Sequence, residues 1–383
     1  MFSGNKDNII GFSNKSNAVI PDRIREARIY RGLTQQELAN ELKLTRQAIY
    51  NYEAGINTPL SEILLQLSNK LDFPINFFYK KRVECNDQGE VYFRSSALPS
   101  KKKEMLEQKL TYLSTEVVYF IEKFLNLPEV NLVNVNYKEE YTIADINNIV
   151  KSLRNHWGLG SKPINNLTYI MQENGCIIAR IALESEKTDG YSKWMWNRPY
   201  TFLNMEKDAA VRARFTLAHE LGHIVLHRNL KKGENIKKRE REANYFAGEF
   251  LFPSDAALEE MMPVTLDSLI PIKAKWGISI GALVRRCSDL ELITEERYLL
   301  LQKQISKRNW RIFEPLDDVI KCETPQLFGE AFKLLIDNKL ITKPDILSSI
   351  LFSENELISI CCLEPDFFQE NQITLRPKLK IVK

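Results

Sequence analysis

The sequence predicts a multidomain protein, mainly α-helical, with one small β-sheet. Three observations predict it. At 383 residues the chain is too long for one ordinary core. Apolar residues recur at helical period over most of its length, while a β-branched and aromatic texture is confined to about residues 175–204. The composition, 44% hydrophobic and 27% charged, is that of a globular chain.

Residues 1–19, rich in Asn, Ser and Gly, read as a disordered tail. The start lacks a basic stretch followed by an apolar one, and no apolar run approaches the roughly 20 residues that span a bilayer. The expected location is therefore cytoplasmic, with no membrane partner. Six cysteines without a CxxC pair read as reduced, mostly buried thiols. The formal charge of +3 neither demands nor excludes nucleic acid, so the placement of charge must decide.

Residues 20–80 read as a five-helix module. Within it "DRIREARIYRGLTQQELANELKLTRQAIYNYEAGINTP" divides into three short helices, the second and third forming a helix-turn-helix. Thr34 followed by Glu37 is a capping box that opens helix two, and Leu38, Ala39 and Leu42 supply its buried face. Thr45 caps helix three, turning Ala48 and Ile49 inward and exposing Arg46, Gln47, Tyr50 and Asn51. Arg and Gln at the start of such a helix are residue types that read guanine and adenine edges in the major groove. Gln35, Thr45, Arg46, Gln47, Tyr50 and Asn51 are the expected contacts to double-stranded DNA. Arg23, Arg25, Arg28 and Arg31 crowd helix one, which in this module runs near the phosphate backbone. Over Asp22–Lys80 eight basic residues meet seven acidic ones, a net of +1. The expected affinity is modest and salt-sensitive, and a homodimer is one way to raise it. The segment resembles the Cro/C1-type (XRE) repressor domain, including the "YEAG" turn; Tyr52 stands where that family often has tryptophan.

Residues 81–142 read as a linker and helical connector, with a short strand at Val91–Arg94 and a helix over 104–125 that buries Leu106, Leu110, Leu113 and Val117. A second helix covers Ile143–His156. "GCIIARIAL", "YSKWMW" and "YTFLN" are expected strands, followed by a long helix over Ala209–His227, a basic loop read as a solvated connector, and a helix over Glu240–Leu251 stopped by Pro253. Residues 256–312 read as a helical subdomain. Its "KWGISIGALVRRCSDL" has helix-turn-helix shape with Arg285 and Arg286 exposed, and a structural role is favoured. Residues 313–383 read as a helical regulatory region of two hairpins, suited to recruiting a substrate or pairing two copies.

The chemistry is concentrated in "FTLAHELGHIVLH", which holds three of the four histidines. His219 and His223 stand at i and i+4 on one helix face, so both imidazoles can bind one zinc ion at about 2 Å. The ion would lower the pKa of a coordinated water to about 7, and the adjacent Glu220 is placed to take its proton. His227 is too far along to join them, since eight residues of helix rise about 12 Å. It closes the helix or lines the cleft. On the next helix Glu240 is the expected third ligand and Asn244, at i+4, the outer partner orienting a histidine, while Glu242 points away from that face. Gly222 between the two ligands implies close approach of that second helix.

"RARFTLAHELGHIVLH", "EREANYFAGEFLFP" and "KAKWGISIGALVRRCSDLELIT", with the preceding "GYSKWMWNRPYTFLN", resemble the ImmA/IrrE-type metallopeptidases over roughly residues 145–312. The resemblance implies a minimal zincin-like α+β domain, here residues 143–255, with zinc held by His219, His223 and Glu240 and with Glu220 as catalytic base. It also implies a protein substrate, a helix-turn-helix repressor whose cleavage releases silenced genes. An edge strand would hold the substrate by backbone pairing; which one is not legible. The alternative function is a transcription regulator whose metal site is a sensor or scaffold.

Overall fold

The computed structural model describes residues 18–81, 100–181, 189–204, 210–228 and 235–369. The strand expected at Val91–Arg94, most of the N-terminal tail and most of the basic loop lie outside them. The chain divides into two compact units, one built from residues 1–85, 99–115 and 347–353, the other from the remainder. Among the described residues no helix is long and apolar enough to cross a membrane.

The first unit contains helices α1 (Pro21–Tyr30), α2 (Gln35–Glu41), α3 (Arg46–Glu53) and α4 (Ser61–Leu71), with a 3-10 turn at Ile75–Tyr79. The Thr34–Glu37 capping box opens α2, and the Thr45 hydroxyl accepts from the Ala48 N–H to open α3. Local hydroxyl caps thus set where each of these helices begins. Buried Glu53 ties three helices together: it accepts from Arg28 of α1 at 2.5 and 2.9 Å and from Gln35 of α2 at 2.9 Å. Arg23 is buried as well, donating to Glu26 and to the carbonyl of Lys80. The arginines of α1 therefore do not form the expected phosphate-facing row. Arg23 and Arg28 hold the domain together, Arg31 pairs with Asp72, and only Arg25 is fully exposed.

Two pieces from elsewhere in the chain complete this unit. Helix α5 (Ser100–Tyr112) begins four residues earlier than expected and packs against α1. Residues 347–353 bring Phe352 into an aromatic cluster with Tyr30, Phe73 and Tyr112, at ring-centroid distances of 5.6, 5.7 and 6.1 Å. The Lys80 ammonium donates to the Ser349 carbonyl and the Ser353 hydroxyl to Asp72, fastening the same segment.

In the second unit a three-stranded sheet, in order β1-β3-β2, is formed by β1 (Ile177–Ile181), β2 (Gly190–Met195) and β3 (Arg198–Asn204). β1 runs parallel and β2 antiparallel to the central β3. A short π turn at Leu113–Val118 and α6 (Tyr119–Glu122) precede α7 (Ile143–His156), which follows a Thr142–Asp145 capping box. Helix α8 (Leu167–Glu173) was not expected from the sequence; seven residues are too few to show a period. Helix α9 (Ala210–Leu226) lies against β2 and β3, and α10 (Ile236–Leu251) packs along α9. The contact is close because of Gly222. A Cβ there would sit 3.1 Å from Phe246 Cδ1 and 3.2 Å from the backbone of Ala243.

Helices α11 (Ser254–Glu260), α12 (Leu269–Trp276), α13 (Ile280–Asp289) and α14 (Glu295–Lys307) follow. Much of the core between α9, α10 and α13 is apolar. Arg286, expected to be exposed, is only 3% exposed and pairs with buried Glu249 of α10. The reading-helix shape of α13 is thus a packing device. Among the described residues the C-terminal region contributes three helices, α15 (Leu327–Asp337), α16 (Lys343–Ile350) and α17 (Glu354–Ile360), with α17 against β1.

Candidate metal centre

The i, i+4 spacing on α9 stacks His219 and His223 on one face, with their Nε2 atoms 3.0 Å apart. From α10, Glu240 presents one carboxylate oxygen 3.4 Å from His219 Nε2 and the other 3.5 Å from His223 Nε2. Among the described residues these three form the one group of His, Cys, Asp or Glu side chains whose ligand atoms lie within 4.8 Å of one another. An ion bonding its donors tetrahedrally at 2.0–2.1 Å separates them by about 3.3 Å, and the observed spacings bracket that value. The donor set of two imidazoles and a carboxylate is one that divalent zinc accepts.

The imidazoles are prepared for this. His219 Nδ1 lies 2.8 Å from Asn244 Oδ1, which places the proton on Nδ1 and the lone pair on Nε2. Burial pushes the His223 pKa down to about 4, so the ring is neutral and able to ligate near pH 7. Behind His223, its Nδ1 stands 2.9 Å from His227 Nδ1, and His227 Nε2 stands 2.9 Å from Glu242 Oε2. Burial also lowers the His227 pKa. For Glu242, burial acts to raise the pKa, but hydrogen bonds from His227 and the Tyr141 N–H outweigh it and the net shift is downward. Glu242 points away from the ligand face, as its position on α10 requires, and lands on His227.

Glu220, beside His219, is 0% exposed. The Ser192 hydroxyl on β2 donates to its Oε2 at 2.5 Å. Gly190, two residues earlier, leaves the room the carboxylate occupies: a Cβ there would lie 3.0 Å from Oε1. Ser192, Gly190 and the His227–Glu242 pair are the neighbours sequence reasoning missed. The second of the α9 histidine steps, His223 to His227, is also i, i+4 and was the available sign of contact. The Trp194 and Tyr200 side chains are buried in the sheet's packing, with the Trp194 indole N–H donating to the Ile224 carbonyl.

In the first unit the helix-turn-helix residues sit as follows. Arg46, Gln47 and Tyr50 are exposed on α3, with the Gln47 amide donating to Asn51 Oδ1 at 2.9 Å. Thr45 is spent on capping and Gln35 on Glu53.

Two stretches match known families. Residues 24–78 match the family described as helix-turn-helix, and residues 171–288 match the IrrE N-terminal-like domain, a zincin-like metallopeptidase family. The chain is similar to uncharacterized HTH-type transcriptional regulators. One, of Rickettsia prowazekii, is 30% identical over 89 residues, covering 23% of this chain and 66% of that protein. Another, of Rickettsia conorii, is 30% identical over 23% of this chain and 69% of its own length. A third, YqaE of Bacillus subtilis, is 28% identical over 25% of this chain and 73% of its length.

Proposed function

The chain belongs to the XRE-type helix-turn-helix regulators and joins to that module an IrrE-like peptidase domain; on that premise we propose that it is a DNA-associated, zinc-dependent endopeptidase that cleaves a repressor protein and so derepresses its target genes. The observation that carries this reading is the convergence of His219, His223 and Glu240 with the buried carboxylate of Glu220 beside them. A sensor site needs ligands; it has no need of an acid held next to them.

When bound, zinc polarises the scissile carbonyl and makes water acidic enough to lose a proton near neutral pH. His219, His223 and Glu240 hold the ion. Glu220 accepts the proton of the attacking water and delivers it to the leaving amine. Ser192, through its bond to Oε2, keeps the carboxylate turned for that exchange. Among the described residues both β1 and β2 are edge strands. Because Ser192 and Gly190 of β2 touch Glu220, β2 is the edge we assign to an extended substrate segment, by backbone pairing. The α3 residues Arg46, Gln47, Tyr50 and Asn51 bring the enzyme to double-stranded DNA, where repressors of the same class reside.

The test compares wild type with Glu220→Gln for zinc content and for cleavage of repressors encoded beside the gene. The variant is expected to keep its zinc and lose cutting by about 10²–10⁴-fold. Equal regulation of the target gene by both proteins would instead favour a metal-sensing regulator without proteolysis.

A further inference from the structure

We propose that His227 and Glu242 act as a positioning pair for the metal ligand His223, fixing which of its nitrogens carries the proton; this rests on the metal reading given above. Two Nδ1 atoms 2.9 Å apart, one on His223 and one on His227, need a single N–H between them. If His223 offers its Nε2 lone pair toward His219 and Glu240, its own proton is on Nδ1 and His227 must accept it. The remaining His227 proton is then on Nε2, aimed at Glu242 Oε2 2.9 Å away. One direction of donation runs through the whole row, and each bond in it has one donor and one acceptor.

The surroundings hold this arrangement. The Tyr141 N–H donates to the other Glu242 oxygen at 3.1 Å, and the Tyr141 hydroxyl donates to the Leu226 carbonyl at 3.1 Å. The Tyr141 ring stands edge-on to His227, at 6.5 Å between centroids. His227 and Glu242 are 5% and 7% exposed, so the carboxylate's charge is weakly screened by water. The two histidine ligands are thereby unequal. His219 rests on the neutral amide of Asn244, whereas His223 rests on a second imidazole backed by an anion. That charge, relayed through His227, makes His223 the more electron-rich donor and holds its ring edge toward the site.

The experiment uses the full-length chain with zinc alone as probe. Zinc affinity is measured by competition with a chromophoric chelator for wild type, Glu242→Gln, His227→Phe and His227→Gln. Long-range ¹H–¹⁵N spectra of zinc-loaded protein labelled at histidine read the tautomers directly, and with four histidines in the chain the spectrum is simple. His223 is expected as the Nδ1–H tautomer and His227 as the Nε2–H tautomer. His227→Phe is expected to weaken zinc binding about 10- to 100-fold, with partial rescue in His227→Gln, whose amide oxygen can accept. Glu242→Gln keeps the shape and loses the charge, and is expected to weaken binding less than His227→Phe does. Thermal unfolding of the metal-free proteins separates lost positioning from lost folding; should His227→Phe fail to fold, the tautomer spectrum and Glu242→Gln decide. An Nδ1–H proton on His227, or variants binding zinc within about twofold of wild type, overturns the inference and leaves the metal reading standing. A wild type that takes up no zinc overturns both.

Discussion

Ser192, on a strand, reaches across to α9 and sets its hydroxyl 2.5 Å from Oε2 of Glu220. The bond helps to fix a fully buried carboxylate, and it ties the sheet to the residue assigned to proton transfer. Ser192→Ala is expected to lower the cleavage rate about 10- to 100-fold through misorientation of Glu220, with zinc stoichiometry unchanged. Single-turnover cleavage and metal analysis on the same preparation check this; a full rate without the hydroxyl refutes the positioning role.

Gly222 permits α10 to lie against α9. Alanine is the better helix former by about 1 kcal/mol, yet its Cβ would press on Phe246 and on backbone at Ala243. Gly222→Ala is expected to destabilise the second unit by about 1–3 kcal/mol, read from denaturant unfolding by tryptophan fluorescence. A stabilised variant would mean that the helices separate at no cost.

Glu249 and Arg286 form a buried pair in which Glu249 also accepts from the Ser254 N–H and Arg286 donates to the Phe252 carbonyl. Removing one partner strands the other charge. Glu249→Ala is expected to cost about 3–5 kcal/mol, and Glu249→Leu combined with Arg286→Met to cost clearly less. Urea unfolding of the single and double variants measures both.

Arg46 is exposed at the start of α3 and, among the described residues, makes no bond to a neighbouring acid. Arg23, Arg28 and Arg31 are committed to partners within the domain, so under the proposed function Arg46 supplies much of the local attraction to DNA. Arg46→Ala is expected to weaken binding and to reduce the slope of log K against log salt by about 1, measured by fluorescence anisotropy over a salt series.

Phe352 fills the aromatic cluster of the first unit. Phe352→Ala is expected to cost that unit about 3–5 kcal/mol. Hydrogen exchange should show lost protection in α1 and α4 while α9 keeps its own, since Phe352 packs within the first unit and α9 belongs to the other.

The parts of this molecule that sequence reveals are those written in short-range spacing. The i, i+4 steps of His219–His223 and Glu240–Asn244 put each pair on one helix face, and the Thr34–Glu37 and Thr142–Asp145 caps lie three residues apart. Mainly helical architecture with one small sheet is legible for the same reason. Contacts that depend on where distant segments meet left no such trace. Ser192 is an ordinary strand serine until α9 lies beneath it, and Glu242 is one acid among several until His227 faces it. Arg286 illustrates the opposite error: on a helix of reading-helix shape it invites an exposed role, while burial against Glu249 decides otherwise.

The segment 347–353 that closes the aromatic cluster around Tyr30 and Phe73 lies far along the chain from both and is synthesised after them. The helices of the first unit therefore wait, during synthesis, for residues 347–353 to emerge before their interior is filled. A chain that stops short of Phe352 carries the helix-turn-helix segment without this aromatic wedge.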